Sequence, residues 1–341
     1  FTAGCWDLKT PQDITYYAAV GFDYVDGNYL AFVQVLDFSA VTKSGEGKPT
    51  EALPIWVGQG EGPTVALALN NLYDTTQFRA FYGHITAIVY HERVLAHNLE
   101  PILDSQNRYY EIRYTPWVFG TDESVRKLFT VGSFFNLSPY NSLLHQPLDN
   151  FKQKSTILPI NVRRFIVDLH EPAKTTMLPR LHIDRDDWTS GTGAVNDDAR
   201  PSPFLEIDGV YLFKEQTFRG FLHENRALGL RWTIEESNRS PIVIKDGERL
   251  RATLSLEQPN IRITPIVRDD QVKYKYEVTL MGVVNELFEE VRQSELERLA
   301  EAQVASEIRD AYLDGLEKET DPLQLEHALY RRDVRTWKKL K

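Results

Sequence analysis

Cys5 is the single thiol of a 341-residue chain and the side chain best suited to covalent modification. It stands directly behind Thr2-Ala3-Gly4, small residues of the kind a lipoprotein signal peptidase tolerates ahead of a cysteine that accepts a diacylglyceryl group. On this reading Cys5 is a lipidation site and the protein is exported and tethered to a membrane, since two acyl chains suffice for stable anchoring. Residues 1–4 are then the residual signal peptide, removed on processing. One thiol forms no disulfide within the chain, so folding outside the reducing cytosol must rest on core burial, which this length permits.

The other groups with chemical potential read as structure. Gly58, Gly60 and Gly62 precede an apolar helix pattern and could expose amides to a phosphate. However, no lysine and hydroxyl pair follows, and Pro63 removes a donor. A strand, a glycine turn and a helix opened by Pro63 or Thr64 are expected there instead. His84, His91 and His97 are spaced by seven and six, which suits neither one helical face nor a compact zinc knuckle. Arg108 and Arg113 are expected to pair with Asp104 or Glu111. Glu206 and Asp208 lie two apart on a strand pattern, so their carboxylates share a side as an acid/base pair would require. No histidine or nucleophile motif accompanies them, and a solvated face is expected. The acidic residues between Glu286 and Glu319 alternate with arginine and apolar positions, as on a solvated face rather than in a calcium loop. No catalytic, cofactor-binding or metal-ligating residue is assigned, and an enzyme is not expected.

Composition narrows the partners. A net charge of −10 opposes nonspecific attraction to nucleic acid or anionic headgroups. No run approaches the ~20 apolar residues of a membrane helix, so attachment falls to Cys5.

The elements that must position these groups follow from periodicity. Residues 18–24 and 29–38 read as strands joined at Asp26-Gly27-Asn28, the second of them inside a sheet covered on both faces. A core strand over 84–90, a helix over 92–105 and a strand over 110–118 form a crossover. Val125, Leu128 and Phe129 mark a short helix. Residues 157–162, 164–169 and 179–183 are strand candidates, and 184–203 has the composition of a junction. Residues 204–213 and 218–222 read as a hairpin, and 225–230 as a helical turn. Strands are expected at 241–246, 250–257, 261–267 and 274–280. Ser294-Glu295-Leu296-Glu297 resembles a capping box. Ala300, Val304, Ile308 and Tyr312 then share a helix face that packs on the sheet, and Asp321-Pro322-Leu323-Gln324 caps a second helix. The expected fold class is α+β and multi-domain, with mixed and antiparallel sheets each packed with helices and a C-terminal sheet covered by long helices. The expected domains are an α/β domain over 5–120, a smaller middle domain over 121–197 and an α+β domain over 201–341.

Taken in order, several landmarks resemble the Ger(x)C family, the C-subunit lipoproteins of bacterial spore germinant receptors. They are Gly4-Cys5-Trp6-Asp7, Val20-Gly21-Phe22-Asp23, a strand ending near Gln34, Gly58 to Leu69, His84-Ile85 and a Glu111-Ile112-Arg113 strand. The 205–222 hairpin follows with Asp208-Gly209 and Gly220, then Asp321-Pro322-Leu323, Leu329-Tyr330-Arg331-Arg332 and Trp337-Lys338. The family often has glycine where Gln324 stands, and usually continues past Trp337 into a final strand.

The resemblance implies a non-enzymatic receptor subunit acting in assembly and signal coupling. It would be held by lipid on the outer face of the spore inner membrane, with the integral-membrane A and B subunits as partners. It leaves nutrient contact unassigned. The alternative is a lipid-anchored extracytoplasmic protein that captures a small solute between its first and last domains, with 184–203 as hinge.

Overall fold

The computed structural model describes residues 14–36, 54–109, 111–191, 200–269 and 271–341. Cys5 lies outside the described residues. The chain is α+β and divides into two compact units, residues 1–146 with 181–206 and residues 147–180 with 207–341.

The first unit is built on a sheet of mixed direction. β1 (Ile14–Val25) and β2 (Asn28–Leu36) form an antiparallel hairpin. Its turn has positive φ at Asp26 and Gly27, the primed geometry that matches strand twist. β3 (Ile55–Gly62) pairs antiparallel with β2. On the other side, β4 (Ala87–His91) pairs parallel with β1, and β5 (Trp117–Thr121) parallel with β4. The expected crossover is thus present, but its helical part is broken into α2 (Glu92–His97) and α3 (Glu100–Arg108). Asn98 is extended between them, and its side chain accepts from Glu100 N. The last strand starts at Trp117 rather than near 110, because Glu111 is drawn aside: its carboxylate accepts from Tyr82 N and lies 3.6 Å from Arg79.

Glycines 58, 60 and 62 lie in β3 itself and make no turn. α1 (Val65–Asn71), capped by Thr64 Oγ1 on Leu67 N, packs directly on them. A Cβ on Gly60 would stand 2.1 Å from the Ala68 carbonyl, and one on Gly62 2.9 Å from Ala68 N. α4 (Val125–Phe129) approaches β1 as closely, since a Cβ on Gly21 would meet Val125 at 2.5 Å.

The second unit starts with α5 (Pro147–Gln153) and α6 (Val162–His170). Residues 164–169, expected as a strand, are helical. Val162, Phe165 and Leu169 are buried on one face, and Asn161 caps the first turn through Arg164 N. β6 (Thr175–Asp184) follows, with Thr175 to Arg180 in this unit. β7 (Phe204–Lys214) and β8 (Thr217–His223) form the expected hairpin, turning at Glu215 and Gln216 with positive φ at both. α7 (Glu224–Ala227) continues into a 3₁₀ segment, Leu228–Thr233.

Three strands complete the unit: β9 (Ser240–Asp246), β10 (Arg249–Arg268) and β11 (Gln271–Leu287), in that antiparallel order. The two strands expected over 250–267 are one. A register shift between Glu257 and Asn260, with Gln258 at φ 51°, bends it without breaking it. α8 (Gln293–Glu317) lays Ala300 and Val304 on Trp232, Ile242, Ile244, Ala252, Leu254 and Leu256, as its four-residue spacing predicts. The capping box at its start is not formed. Arg292 is the extended N-cap residue, and its carbonyl accepts from Glu295 N and Leu296 N, so Ser294 is already inside the helix. α9 (Leu325–Arg332) and α10 (Val334–Leu340) end the chain, with Trp337 packed on Ala173 and Leu329.

Candidate functional site

The polar residues picked out from the sequence are used one by one to hold the framework. His91 is buried, and its Nδ1 accepts from Arg93 N at the start of α2 while standing 3.4 Å from Asp23. Burial pushes its pKa down, against the pull of Asp23. His97 stacks on Tyr24 at 3.8 Å, and His84 meets Tyr16 edge-on at 5.0 Å. Arg108 pairs with Asp104 at 2.8 Å, four residues back on the same helix. Glu206 and Asp208 do not form a solvated pair: Asp208 is buried. It takes a two-pronged ion pair from Arg180, whose Nε donates at 2.8 Å and whose Nη2 also donates. The guanidinium lies 3.7 Å above the Phe221 ring. Alternation predicts the shared face correctly, but the arginine that neutralises Asp208 lies on a strand 28 residues away.

Two buried polar assemblies were not legible in sequence, and a third was legible only in its capping aspartate. In the first unit, His145 Nε2 meets Gln34 Oε1 at 2.9 Å, and His145 Nδ1 meets Thr86 Oγ1 at 2.5 Å. Gln34 Nε2 donates to the Phe129 carbonyl, so its oxygen faces the ring and His145 carries its proton on Nε2. Burial lowers the His145 pKa to about 3, keeping the imidazole neutral. In the second unit, Glu307 on α8 accepts from Arg231 Nη2 at 2.9 Å and from Trp232 Nε1 at 2.8 Å, and Arg231 also donates to the Pro241 carbonyl.

The third assembly is the turn before α9. Asp321 N donates to Thr175 Oγ1, and Asp321 Oδ2 accepts from Glu326 N, so this aspartate caps the helix as expected. Burial raises its pKa. Gln324 sits at φ 61° and clasps β6 with both ends of its amide: Thr175 N donates to Oε1 and Nε2 donates to Thr175 O.

Beside this clasp the second unit contains a cavity of about 550 Å³. Its apolar walls include Ile157, Met177, Val210, Ile261 and Ile263. At its polar side Lys174 pairs with Asp168 at 2.6 Å and Arg164 with Glu236 at 3.2 Å. Tyr276 lines it, with a buried Oη that has no hydrogen-bond partner among the described residues. Burial holds the Tyr276 phenol above its ordinary pKa. The cavity has the size and mixed lining of small-molecule sites, and no serine, cysteine or histidine is among the described residues that line it.

Comparison with known proteins agrees with this framework. Residues 7–183 match the spore germination protein N-terminal domain, and residues 208–341 match the spore germination B3/GerAC-like C-terminal domain. The chain belongs to the GerAC family of spore germination proteins. Spore germination protein KC of Bacillus subtilis (strain 168) is 20% identical over 352 aligned residues, which cover 99% of this chain and 86% of that protein. The crystal structure of the GerBC protein superimposes with a TM-score of 0.54 at 13% identity, over 94% of this chain and 89% of that one, a likeness of fold. The Ger(x)C resemblance is therefore confirmed, and with it the germinant-receptor C-subunit family. No helix among the described residues is long and apolar enough to cross a membrane.

Most GerAC landmarks now have physical roles. Gly21 admits α4, Asp23 anchors Arg93 and Gln34 orients His145. Gly209 leaves room for Phe221, which a Cβ would meet at 2.3 Å, and Gly220 adopts φ 124°. Gln324 occupies the left-handed region, where glycine is the residue of least strain. The Glu111-Ile112-Arg113 landmark is not a strand: Ile112 N donates to the Tyr109 carbonyl in a turn.

Proposed function

We propose that this chain is the lipid-anchored, extracytoplasmic C subunit of a spore germinant receptor. It acts in receptor assembly and in coupling the germination signal, and it carries out no catalysis of its own. The observation that carries this reading is the match of both family domains, which together account for most of the chain. Cys5 behind Thr2-Ala3-Gly4 supplies the anchor. Its acyl chains would hold the protein on the outer face of the spore inner membrane beside the integral-membrane A and B subunits. Confinement of that kind raises the effective concentration of the units over partner loops, so weak docking becomes productive without a large interface.

Co-purification from native spore membranes tests this, with a C-terminal tag and a comparison of the wild-type chain with Cys5→Ala. Recovery of a multispanning partner that weakens in the variant is the expected result. Recovery of the protein alone, with Cys5→Ala indistinguishable, refutes the proposal. A second reading, a lipid-anchored solute-binding protein, draws on the cavity beside Tyr276. It requires a saturable thermal shift with a small solute that Tyr276→Phe weakens.

A further inference from the structure

The strand register places one end of the first unit's sheet where the chain enters it. Ile14 pairs with Arg79, Tyr17 with Val35, Val35 with Trp56, and Ala87 with Trp117. The start of β1, the end of β2 and the starts of β3, β4 and β5 therefore share this end. α1 runs back along β3, since Gly62 faces Leu67 and Gly58 faces Leu72, and so delivers residues 73–78 to the same end. Thr76 Oγ1 lies within hydrogen-bond distance of Tyr17 Oη there. α3 returns in the same sense, for Tyr109 packs on Tyr82 at 5.5 Å. The Tyr114 hydroxyl donates to Asn107 just before β5 opens.

This end is aromatic and exposed. Trp56 is 69% accessible, Tyr114 52%, Phe78 50% and Tyr73 39%. Behind Phe78 and Tyr73 lies a hollow of about 430 Å³ walled by Tyr82 and Tyr109. The Tyr73 and Tyr82 hydroxyls lie 3.0 Å apart. The charges are mixed: Arg79 faces Glu111 at 3.6 Å, with Asp74 and Arg113 exposed nearby. Among the described residues these charges balance, and tryptophan and tyrosine rings beside them suit a bilayer's headgroup boundary, where one side of each ring is apolar and the other wet. Water alone gives no reason to keep four large rings exposed together.

We propose that this aromatic end of the first unit rests on the phospholipid interface, as a second membrane contact beside the acyl anchor. The inference rests on the lipid-anchor reading of Cys5, because the anchor chooses the occupant. The roughly nine residue steps from Cys5 to Ile14 reach at most about 30 Å. An anchored chain therefore enters β1 within that distance of the membrane, and it enters at the aromatic end. The contact limits tumbling of the unit on its tether, so the face it offers to receptor partners is set by the sheet as well as by the lipid.

Cys5 is the only thiol, so the chain can be coupled specifically to a maleimide-bearing lipid in phosphatidylcholine vesicles with brominated or plain acyl chains. The coupling is done in a Trp6→Phe background, because Trp6 adjoins the anchor. Bromine-dependent quenching of tryptophan emission is expected, and Trp56→Phe should remove most of it. In an uncoupled Cys5→Ser chain, joint substitution of Phe78→Ser and Tyr114→Ser should lower partitioning onto the same vesicles about tenfold or more. These three positions are exposed, and circular dichroism checks that the variants stay folded. Quenching that persists in Trp56→Phe, or that needs a co-reconstituted membrane protein, overturns the interface. Mass spectrometry of Cys5 from spores decides the anchor separately: an unacylated Cys5 defeats the anchor reading, whereas the vesicle result bears on the aromatic end alone.

Discussion

His145 makes the first unit sensitive to mild acid in a calculable way. Its imidazole is buried and held neutral, with its pKa lowered from 6.5 to about 3. In the unfolded chain it protonates near 6.5, so between pH 6.5 and 3 the unfolded state binds the extra proton and stability falls as pH falls. The full effect is about 5 kcal/mol, and the part reached between pH 7 and pH 5 is about 2 kcal/mol. The part between pH 7 and pH 5 lies above the ordinary range in which carboxylates protonate. Amide hydrogen exchange of β1 and β4 reports it, because those strands flank the Thr86 hydroxyl that meets the ring. After correction for intrinsic exchange, their protection should drop about thirtyfold from pH 7 to pH 5. His91, also lowered by burial, adds a drop of the same sign. His145→Gln isolates the term: the variant is less stable at pH 7, yet its protection should lose about thirtyfold less on acidification. An equal drop in both proteins would show that the ring is not held neutral and would refute the reasoning.

Other substitutions test the framework. Gly60→Ala forces a Cβ into the Ala68 carbonyl and should cost about 3 kcal/mol in urea unfolding. Gly58→Ala meets only Val33 and Leu72 side chains at 3.1 and 3.3 Å and should cost less. Glu307→Gln leaves the Arg231 guanidinium buried without its charge partner, and a loss of about 3 kcal/mol is expected in the second unit's transition. Pairing Glu307→Leu with Arg231→Met should recover much of that loss. At Gln324 two effects of about 1 kcal/mol oppose each other, the two hydrogen bonds to Thr175 and the left-handed backbone. Gln324→Ala loses the bonds and keeps the strain, so its thermal midpoint should fall below that of Gln324→Gly. The reverse order would show that backbone conformation does not govern this position.

What could be read from the sequence was local. The hairpin expected over 18–38, formed as far as Leu36 where the described residues end, the 204–222 hairpin and the buried face of α8 each declare themselves within one continuous stretch, through alternation about a turn or a repeat of four. The errors came where two local readings share one pattern. The run 164–169 alternates like a strand, yet Val162, Phe165 and Leu169 also suit a helix, and the Asn161 cap decides it. Glycines 58, 60 and 62 look like a turn because the reason for them lies in α1, whose backbone needs their missing side chains. Asp208 looked solvated for the same reason, with its partner Arg180 on a different strand.

The same distinction bears on how this chain holds its architecture at 20% identity to the spore germination protein KC. Its landmarks are close approaches and a buried carboxylate held by a half-exposed arginine, each satisfied by one partner elsewhere in the chain: Gly21 with Val125, Asp23 with Arg93, Gly209 with Phe221. A substitution at such a point exacts a clash or an unpaired charge, whereas the surface between them can change freely. Exposed residues are under no such packing constraint, so they are free to follow whatever the protein binds rather than the fold. The exposed rings at the entry end of the first sheet belong to that second class: removing them should leave stability nearly unchanged while altering what the protein binds.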